Sequence, residues 1–239
     1  MERGLAPSRE RAQAMVLAGQ VLVNEQKVSK PGTSVEADSA LRLLGKDIRY
    51  ASRGGLKLER ALEHWTIQVA GRVCLDVGAS TGGFTDCLLQ HGAARVIAVD
   101  TGYGQMDLKL RQDPRVRLLE RTNARYLTAA DVGEPVSFVA VDVAFISATL
   151  VLPAVVAAAR GETVAHCVEL VVLVKPQFEV GRERVGKGGI VRDKEAQAAA
   201  VSRVRTAVES LGGRQVDVTD SPILGAEGNR EFLLHAFMG

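Results

Sequence analysis

The sequence predicts an α/β protein, a seven-stranded, mostly parallel sheet wrapped by helices and preceded by a small α+β module. Three observations carry this expectation. Short runs of β-branched and apolar residues recur through most of the chain at the spacing of βαβ units, with helical patterns between them. The first such run leads into a glycine-rich turn and a helix start, residues 73–86, Val-Cys-Leu-Asp-Val-Gly-Ala-Ser-Thr-Gly-Gly-Phe-Thr-Asp. Charge sets the beginning of the chain apart: residues 1–55 hold 9 Lys and Arg against 6 Asp and Glu, and the remainder holds 21 against 22.

A chain of 239 residues, 46% hydrophobic and 24% charged, is long enough for one good-sized α/β domain plus an appendage. The formal net charge of +2 gives no polyanion signal by itself. Cys74, Cys87 and Cys167 show no paired spacing and fall in apolar segments, which predicts reduced core thiols rather than disulfides or metal ligands. No window approaches about 18 consecutive apolar residues, and the start lacks a basic-then-apolar signal pattern. A cytoplasmic protein without membrane insertion is expected.

In the module, residues 8–18 read as a helix, with Ser8 as N-cap, Ala12, Met15 and Val16 on one face, and Gly19 ending it. Residues 21–23 and 41–44 read as short strands, separated by a polar turn over 24–30. Arg9, Arg11, Lys27 and Lys30 lie near the helix start and this turn, where they form either a solvated surface or a nucleic-acid contact. A polar hinge over 45–53 leads into a helix over 56–65. Strands are expected at 73–77, 95–100, 116–119, 136–141, 170–174, 216–218 and 231–235. Helices are expected from the glycine turn to His91, at 149–159 and at 194–211. Trp65 reads as core, and the four histidines have no ligand spacing.

The glycine turn reads as a nucleotide-type ligand site, with Ser80 or Thr81 capping its helix. A dinucleotide fingerprint needs G-x-G-x-x-G, and taking Gly78 and Gly83 as its ends puts Ser80 where the middle glycine belongs. The acidic Asp76 would repel a pyrophosphate and suits a ligand with an ammonium and a sulfonium, such as S-adenosylmethionine. Asp100 ends the next strand about one βαβ unit later, where it can accept hydrogen bonds from ribose hydroxyls. The expected cofactor contacts are Asp76, Gly78, Ser80, Thr81, Gly82, Gly83, Phe84, Asp100 and Asp142.

Ligand chemistry in such sheets gathers at the carboxyl ends of the strands. That rule picks out Asp142, in Val-Asp-Val-Ala-Phe-Ile-Ser, and Lys175, in Val-Lys-Pro-Gln-Phe-Glu. Charged groups at a partly buried rim tend to be paired or functional. The segment after Lys175 carries Arg182, Arg184, Lys187 and Arg192, and is read evenly as a surface loop or as an RNA-backbone clamp.

The stretch Pro-Ser-Arg-Glu-Arg-Ala-Gln-Ala-Met-Val-Leu-Ala-Gly-Gln-Val-Leu-Val-Asn resembles the RNA-binding module named after ribosomal protein S-four, with a shortened start. Behind it, S-R-G-G-L-K-L, D-V-G-A-S-T-G-G-F-T-D, V-D-V-A-F-I-S, V-K-P-Q-F-E and G-N-R-E-F-L-L closely resemble the TlyA-type ribosomal RNA 2'-O-methyltransferases, also called hemolysin A. Those are similar to the FtsJ-like ribose methyltransferases, with their Rossmann-like sheet and Lys-Asp-Lys-Glu tetrad. The resemblance implies domains at 1–50 and 51–239, and a tetrad of Lys57, Asp142, Lys175 and Glu231, with Glu227 as a competitor for the last place. It implies S-adenosylmethionine as cofactor, no metal, and cytidine in ribosomal RNA of small or large subunits, not DNA, as substrate. Arg9, Arg11, Lys27, Arg53, Arg182 and Lys187 are the expected RNA contacts. Two other readings stand beside it, a non-catalytic RNA-binding or ribosome-assembly protein and a membrane-lytic protein.

The chemistry suits the constellation. A ribose 2'-hydroxyl attacking a sulfonium methyl needs positioning and a group that takes its proton. A lysine does this only when neutral, a form that a second cation nearby favours. Lys57 is the expected second cation, with Asp142 orienting the ammonium and hydroxyl and Glu231 holding Lys57 or the substrate.

Overall fold

The computed structural model describes residues 5–6, 9–17, 19, 21–24, 26–28, 30–36, 39–43, 49–161, 167–225 and 228–239. The chain divides into two units, Met1–Arg49 and Tyr50–Gly239.

The first unit has helix α1 (Arg9–Leu17) and strands β1 (Val21–Val23), β2 (Gln26–Val28) and β3 (Leu41–Leu43), with β1 central and antiparallel to both neighbours. Strand β2 corrects the expectation of a plain polar turn over 24–30. Asn24 takes a left-handed φ of 48°, a conformation that Asn tolerates, and so folds the chain back on itself at once. Its backbone N–H and side-chain Oδ1 both bond Ala40, which ties the hairpin to the approach to β3. Gly19 ends the first helix at φ 63°. The expected Ser8 cap and residues 45–48 of the expected hinge lie outside the described residues.

The second unit carries the seven-stranded sheet, in the order β6-β5-β4-β7-β8-β10-β9. The strands are β4 (Val73–Val77), β5 (Arg95–Val99), β6 (Val116–Leu119), β7 (Phe138–Val141), β8 (Val168–Val174), β9 (Gly213–Asp220) and β10 (Phe232–Met238). The first five are parallel, and β10 runs antiparallel between β8 and β9. Helices α2 (Gly54–His64), α3 (Gly83–Gln90) and α4 (Leu108–Arg111) supply one core. Helices α5 (Ala129–Val132), α6 (Ala148–Arg160) and α8 (Lys194–Ser210) supply the other, with the one-turn α7 (Pro176–Glu179) between β8 and α8. Strand β8, Val-Glu-Leu-Val-Val-Leu-Val, is buried at every position, as a strand covered on both faces requires. Each of its aliphatic side chains contributes roughly 1.5–3 kcal/mol by leaving water.

The chain leaves β4 toward β5 and β6, then returns to place β7 on the other side of β4. This reversal is where ligands bind in doubly wound sheets. Gly78, just past β4, has φ 90°, and a Cβ there would stand 2.3 Å from the Asp142 carbonyl oxygen. The glycine lets the ends of β4 and β7 approach this closely and opens the groove above them.

Two local expectations change. Helix α3 is capped by Gly82 at φ 94°, with no side-chain cap, rather than by Ser80 or Thr81. The Ser80 backbone instead sits at φ 47° and donates its N–H to Asp100, which ties the turn to the end of β5. Cys74 and Cys87 are buried, but Cys167 is exposed, one residue before β8 enters the sheet.

Candidate active site

Every tetrad position lies at the carboxyl end of a strand or faces one. Lys175 follows β8 and Asp142 follows β7, which brings the Lys175 Nζ to 2.6 Å from Asp142 Oδ1. The contact is a close, partly buried ion pair. Lys57 comes up from α2, and its Nζ donates to Glu231 Oε2 at 2.5 Å. Glu231, just before β10, is 3% exposed and Lys57 8%. Burying such pairs is costly unless geometry or function compensates. The competitor Glu227 lies outside the described residues.

Two cavities meet here. One, about 300 Å³, is walled by Lys57, Lys175 and Asp142, with Ser52 and Arg53 on one side and Ile223 and Leu224 on another. The second, about 420 Å³, runs between the ends of β4, β5 and β7 past Asp100, Gln105 and Asn123. Gly78, Ser80, Asp142 and Ala144 line both. Asp142 therefore stands at the junction, able to serve each.

The glycine turn works by bringing backbones close. A Cβ on Gly83 would stand 2.2 Å from Ser52 Oγ, and one on Gly55 would enter the Tyr50 ring. Asp86 accepts the Ala51 N–H at 2.7 Å, so the Ser-Arg-Gly-Gly segment is held to α3 and Lys57 is aimed over the turn. Gly78, Ser80, Thr81, Gly83 and Phe84 line the cavities, whereas Gly82 turns inward, its missing Cβ making room for Leu110. Asp100 accepts the N–H groups of Ser80 at 2.8 Å and Gly102 at 2.6 Å, one per oxygen, so each oxygen keeps a second acceptor site.

Asp76 is placed differently from the expected direct contact. It is fully buried beneath the turn, with Oδ2 accepting from the Thr85 hydroxyl at 2.6 Å and Oδ1 without a partner. Burial pushes its carboxyl up to about 7, against the Thr85 bond, and the charges of Asp142 and Asp100 raise it further. A cation in the groove above would favour its charged form.

Of the expected RNA contacts, Arg53 is exposed on the cavity wall, and Arg9, Arg182 and Lys187 are exposed. The side chains of Arg11 and Lys27 lie outside the described residues. Three participants lacked a sequence signal that singles them out. Phe145 is 93% exposed at a φ of 64°, unusual for a bulky residue, with its ring 5.5 Å from that of Phe178. Glu179, in the Val-Lys-Pro-Gln-Phe-Glu motif, is buried and accepts from Ser147 Oγ and the Ala148 N–H, fixing the start of α6. Asn229, in the Gly-Asn-Arg-Glu motif, is buried and bonds the loop after Lys175.

Residues 50–237 match the FtsJ-like methyltransferase family, and residues 2–40 match the S4 domain. The chain belongs to the FtsJ-like methyltransferases of the TlyA type. It is 47% identical to the 16S/23S rRNA (cytidine-2'-O)-methyltransferase TlyA of Mycobacterium tuberculosis, over 98% of this chain and 86% of that protein. It is 40% identical to Hemolysin A of Brachyspira hyodysenteriae, over 97% of this chain and 95% of the relative. Among solved structures, a hemolysin-like protein of Streptococcus thermophilus superposes with a TM-score of 0.76 at 42% identity, covering 99% of this chain and 85% of the other. A SAM-dependent methyltransferase of Aquifex aeolicus, at 17% identity and a TM-score of 0.52 over 79% of this chain and 95% of its own, shares the fold. S-adenosylmethionine is the cofactor of an FtsJ-like site, and the groove fits it: backbone-lined by glycine, with Asp100 open for hydroxyls and acidic groups at and below the junction. Among the described residues no helix is long and apolar enough to cross a membrane.

Proposed function

We propose that the protein transfers the methyl group of S-adenosylmethionine to the 2'-hydroxyl of cytidine in ribosomal RNA, within assembled subunits, and that it works in the cytoplasm. The observation that carries this reading is the pair of ion pairs, Lys175 with Asp142 and Lys57 with Glu231, on the walls of a cavity that opens into the cofactor groove at Asp142. Supporting it are the cytidine-2'-O-methyltransferase relatives and the matched S4 domain.

The cofactor, when bound, supplies an electrophilic methyl group on a sulfonium. Asp100 holds ribose hydroxyls of the donor, and Asp142 at the junction attracts its positive end. In its neutral form, Lys175 is placed to take the proton of the attacking 2'-hydroxyl and so becomes the ammonium that pairs with Asp142. Glu231 fixes Lys57 beside the acceptor, where it orients the ribose oxygen. Phe145 offers a ring for a base turned out of the RNA, while Arg53 and the Arg182–Arg184 segment meet phosphates. Arg9, Arg11 and Lys27 give the N-terminal unit its share of RNA affinity.

The test is tritium transfer from labelled S-adenosylmethionine to isolated ribosomal subunits, with the modified nucleotide mapped afterwards. Methyl appearing on a 2'-oxygen of cytidine is expected. Methyl accepted by RNA carrying a 2'-deoxy nucleotide at the mapped position would overturn the ribose assignment.

A further inference from the structure

The loop between α7 and α8 carries Arg182, Arg184 and Lys187, all exposed, on two short turns centred on 182–184 and 187–189. Local backbone bonds close these turns, among them Gly186 N–H to the Ile190 carbonyl at 3.1 Å, but the glycines at 186, 188 and 189 raise the entropy the loop must lose to hold one place. What ties its far end to the approach to β10 is Asn229. The Asn229 Nδ2 donates to the Gly189 carbonyl at 2.8 Å, and its Oδ1 accepts the Val191 N–H at 2.9 Å. The residue is 1% exposed, with the Val191 bond buried and the Gly189 bond partly so. Its backbone carbonyl accepts the Gly225 N–H at 2.8 Å, closing the turn that follows Ile223 and Leu224 on the cavity wall. Two residues on stands Glu231, the partner of Lys57. A second clamp grips the same place from α8, where Gln197 Nε2 donates to the Val191 carbonyl at 2.8 Å.

We propose that Asn229 is a positioning residue that locks the basic loop to the catalytic strand, so that phosphate contacts and the Lys57–Glu231 pair are held in one register. The proposal rests on the reading of that loop as an RNA-backbone contact. A free loop would pay its ordering entropy each time RNA bound, and a clamped one has already paid it. The bond pattern is specific to an amide: Asp at 229 keeps the acceptor for Val191 but faces the Gly189 carbonyl without a donor.

The experiment is a thermodynamic cycle on the full chain, read as RNA affinity and as KM and kcat for methyl transfer to ribosomal subunits. One arm is Asn229→Ala, and the other is Arg182→Gln, Arg184→Gln and Lys187→Gln together. Each arm alone is expected to weaken RNA binding about tenfold, the scale of two buried hydrogen bonds or a few phosphate contacts. Donor affinity should hold in both. Combined, they should cost no more than the worse arm, because charges that are gone have no position to lose. Losses that multiply would overturn the positioning role, and a charge-neutralised loop that binds RNA as wild type would overturn the reading of the loop itself. Should Asn229→Ala fail to fold, Gln197→Ala releases Val191 from the other side. It is expected to show the same non-additivity with the neutralised loop, and additivity there overturns the proposal as well.

Discussion

At the amino-terminal end of the sheet, Arg72 bonds Glu169, Ser137 and the Gln68 carbonyl, and the opposite oxygen of Glu169 meets His235 Nε2 at 2.9 Å. At the carboxyl end stand Lys57 with Glu231 and Lys175 with Asp142. Both ends bury cations against carboxylates, yet they are finished differently. Both Glu169 oxygens have partners, and Trp65 stacks on the His235 ring at 5.0 Å, sealing the cluster. At the other end Asp76 keeps one oxygen buried without a partner beneath the glycine turn, and Asp142, paired only with Lys175, lines both open cavities. A buried network satisfied on all sides rigidifies the fold. One left incomplete beside a cavity is built for a ligand to complete.

The sharpest way to break this contrast is at Lys175. Lys175→Ala should leave donor and RNA bound and cost about 100-fold or more in transfer, the scale of lost acid-base catalysis. Lys175→Arg should fail too, since a guanidinium stays protonated and cannot accept a proton. Wild-type transfer in the arginine variant, measured with tritium, would remove Lys175 from the base role.

Next come the two glutamates. Glu169→Gln leaves the half-buried Arg72 beside a neutral partner and should destabilise the protein by about 1–3 kcal/mol, read as a lower denaturation midpoint. Glu231→Gln likewise strips the buried Lys57 of its counter-charge and costs stability, and in addition it should lower kcat, which Glu169→Gln should leave unchanged. If both variants lost stability alike and activity alike, the two ends would not differ in kind.

The ends also titrate with opposite signs. Burial alone would raise the Glu169 carboxyl, but the bonds from His235 and Arg72 and the Arg72 charge outweigh it and hold it below the usual range. Its stabilisation is present above the unfolded value and lost as pH falls. Asp76 goes the other way, pushed by burial from 3.8 to about 7. Its contribution is full below about pH 4 and is lost as pH rises through 7, because the ionised form is the one the fold disfavours. Urea midpoints compared at pH 5 and pH 8 should therefore fall more in wild type than in Asp76→Asn. A cationic donor favours ionised Asp76, so donor affinity should climb between pH 6 and pH 8, and only in wild type. Parallel profiles in the two proteins would show that Asp76 does not titrate in this range.

The sheet and the rim positions of Asp142 and Lys175 were legible because both follow from local pattern: apolar runs ending in Asp142 or Lys175 put those groups on the rim wherever the helices lie. The pairing itself, Lys57 to Glu231 across 174 positions, came from the family resemblance. Other features were not readable, for identifiable reasons. The α3 cap went to Gly82 because the turn needed a left-handed residue there, which outweighed a hydroxyl's preference for the cap. Strand β2 hid in a polar stretch because its ladder rests on backbone bonds to β1, and Cys167 looked like core because the strand starts one residue after it. Asn229 bonds backbone atoms about 40 residues upstream, and backbone atoms carry no residue signal.

The smallest effect sharpens the contrast most finely. Trp65 Nε1 donates to Asp217 Oδ2 at 2.9 Å near the surface, while its ring lies on His235. Trp65→Phe removes the bond and keeps a ring on the histidine, so the expected cost is about 0.5–1 kcal/mol of stability, the net worth of one hydrogen bond. Transfer rate and donor affinity should not change, because nothing in the cluster reaches the cavities. Leu224→Ala at the other end should do the reverse. Leu224 is 56% exposed on the cavity wall, so its truncation should leave stability within about 0.5 kcal/mol and lower kcat/KM for subunits. Thermal unfolding and tritium transfer measured on both variants decide it. Trp65→Phe slowing transfer at unchanged stability would mean that the sealed end is wired to the reactive one, and the division between them would fall.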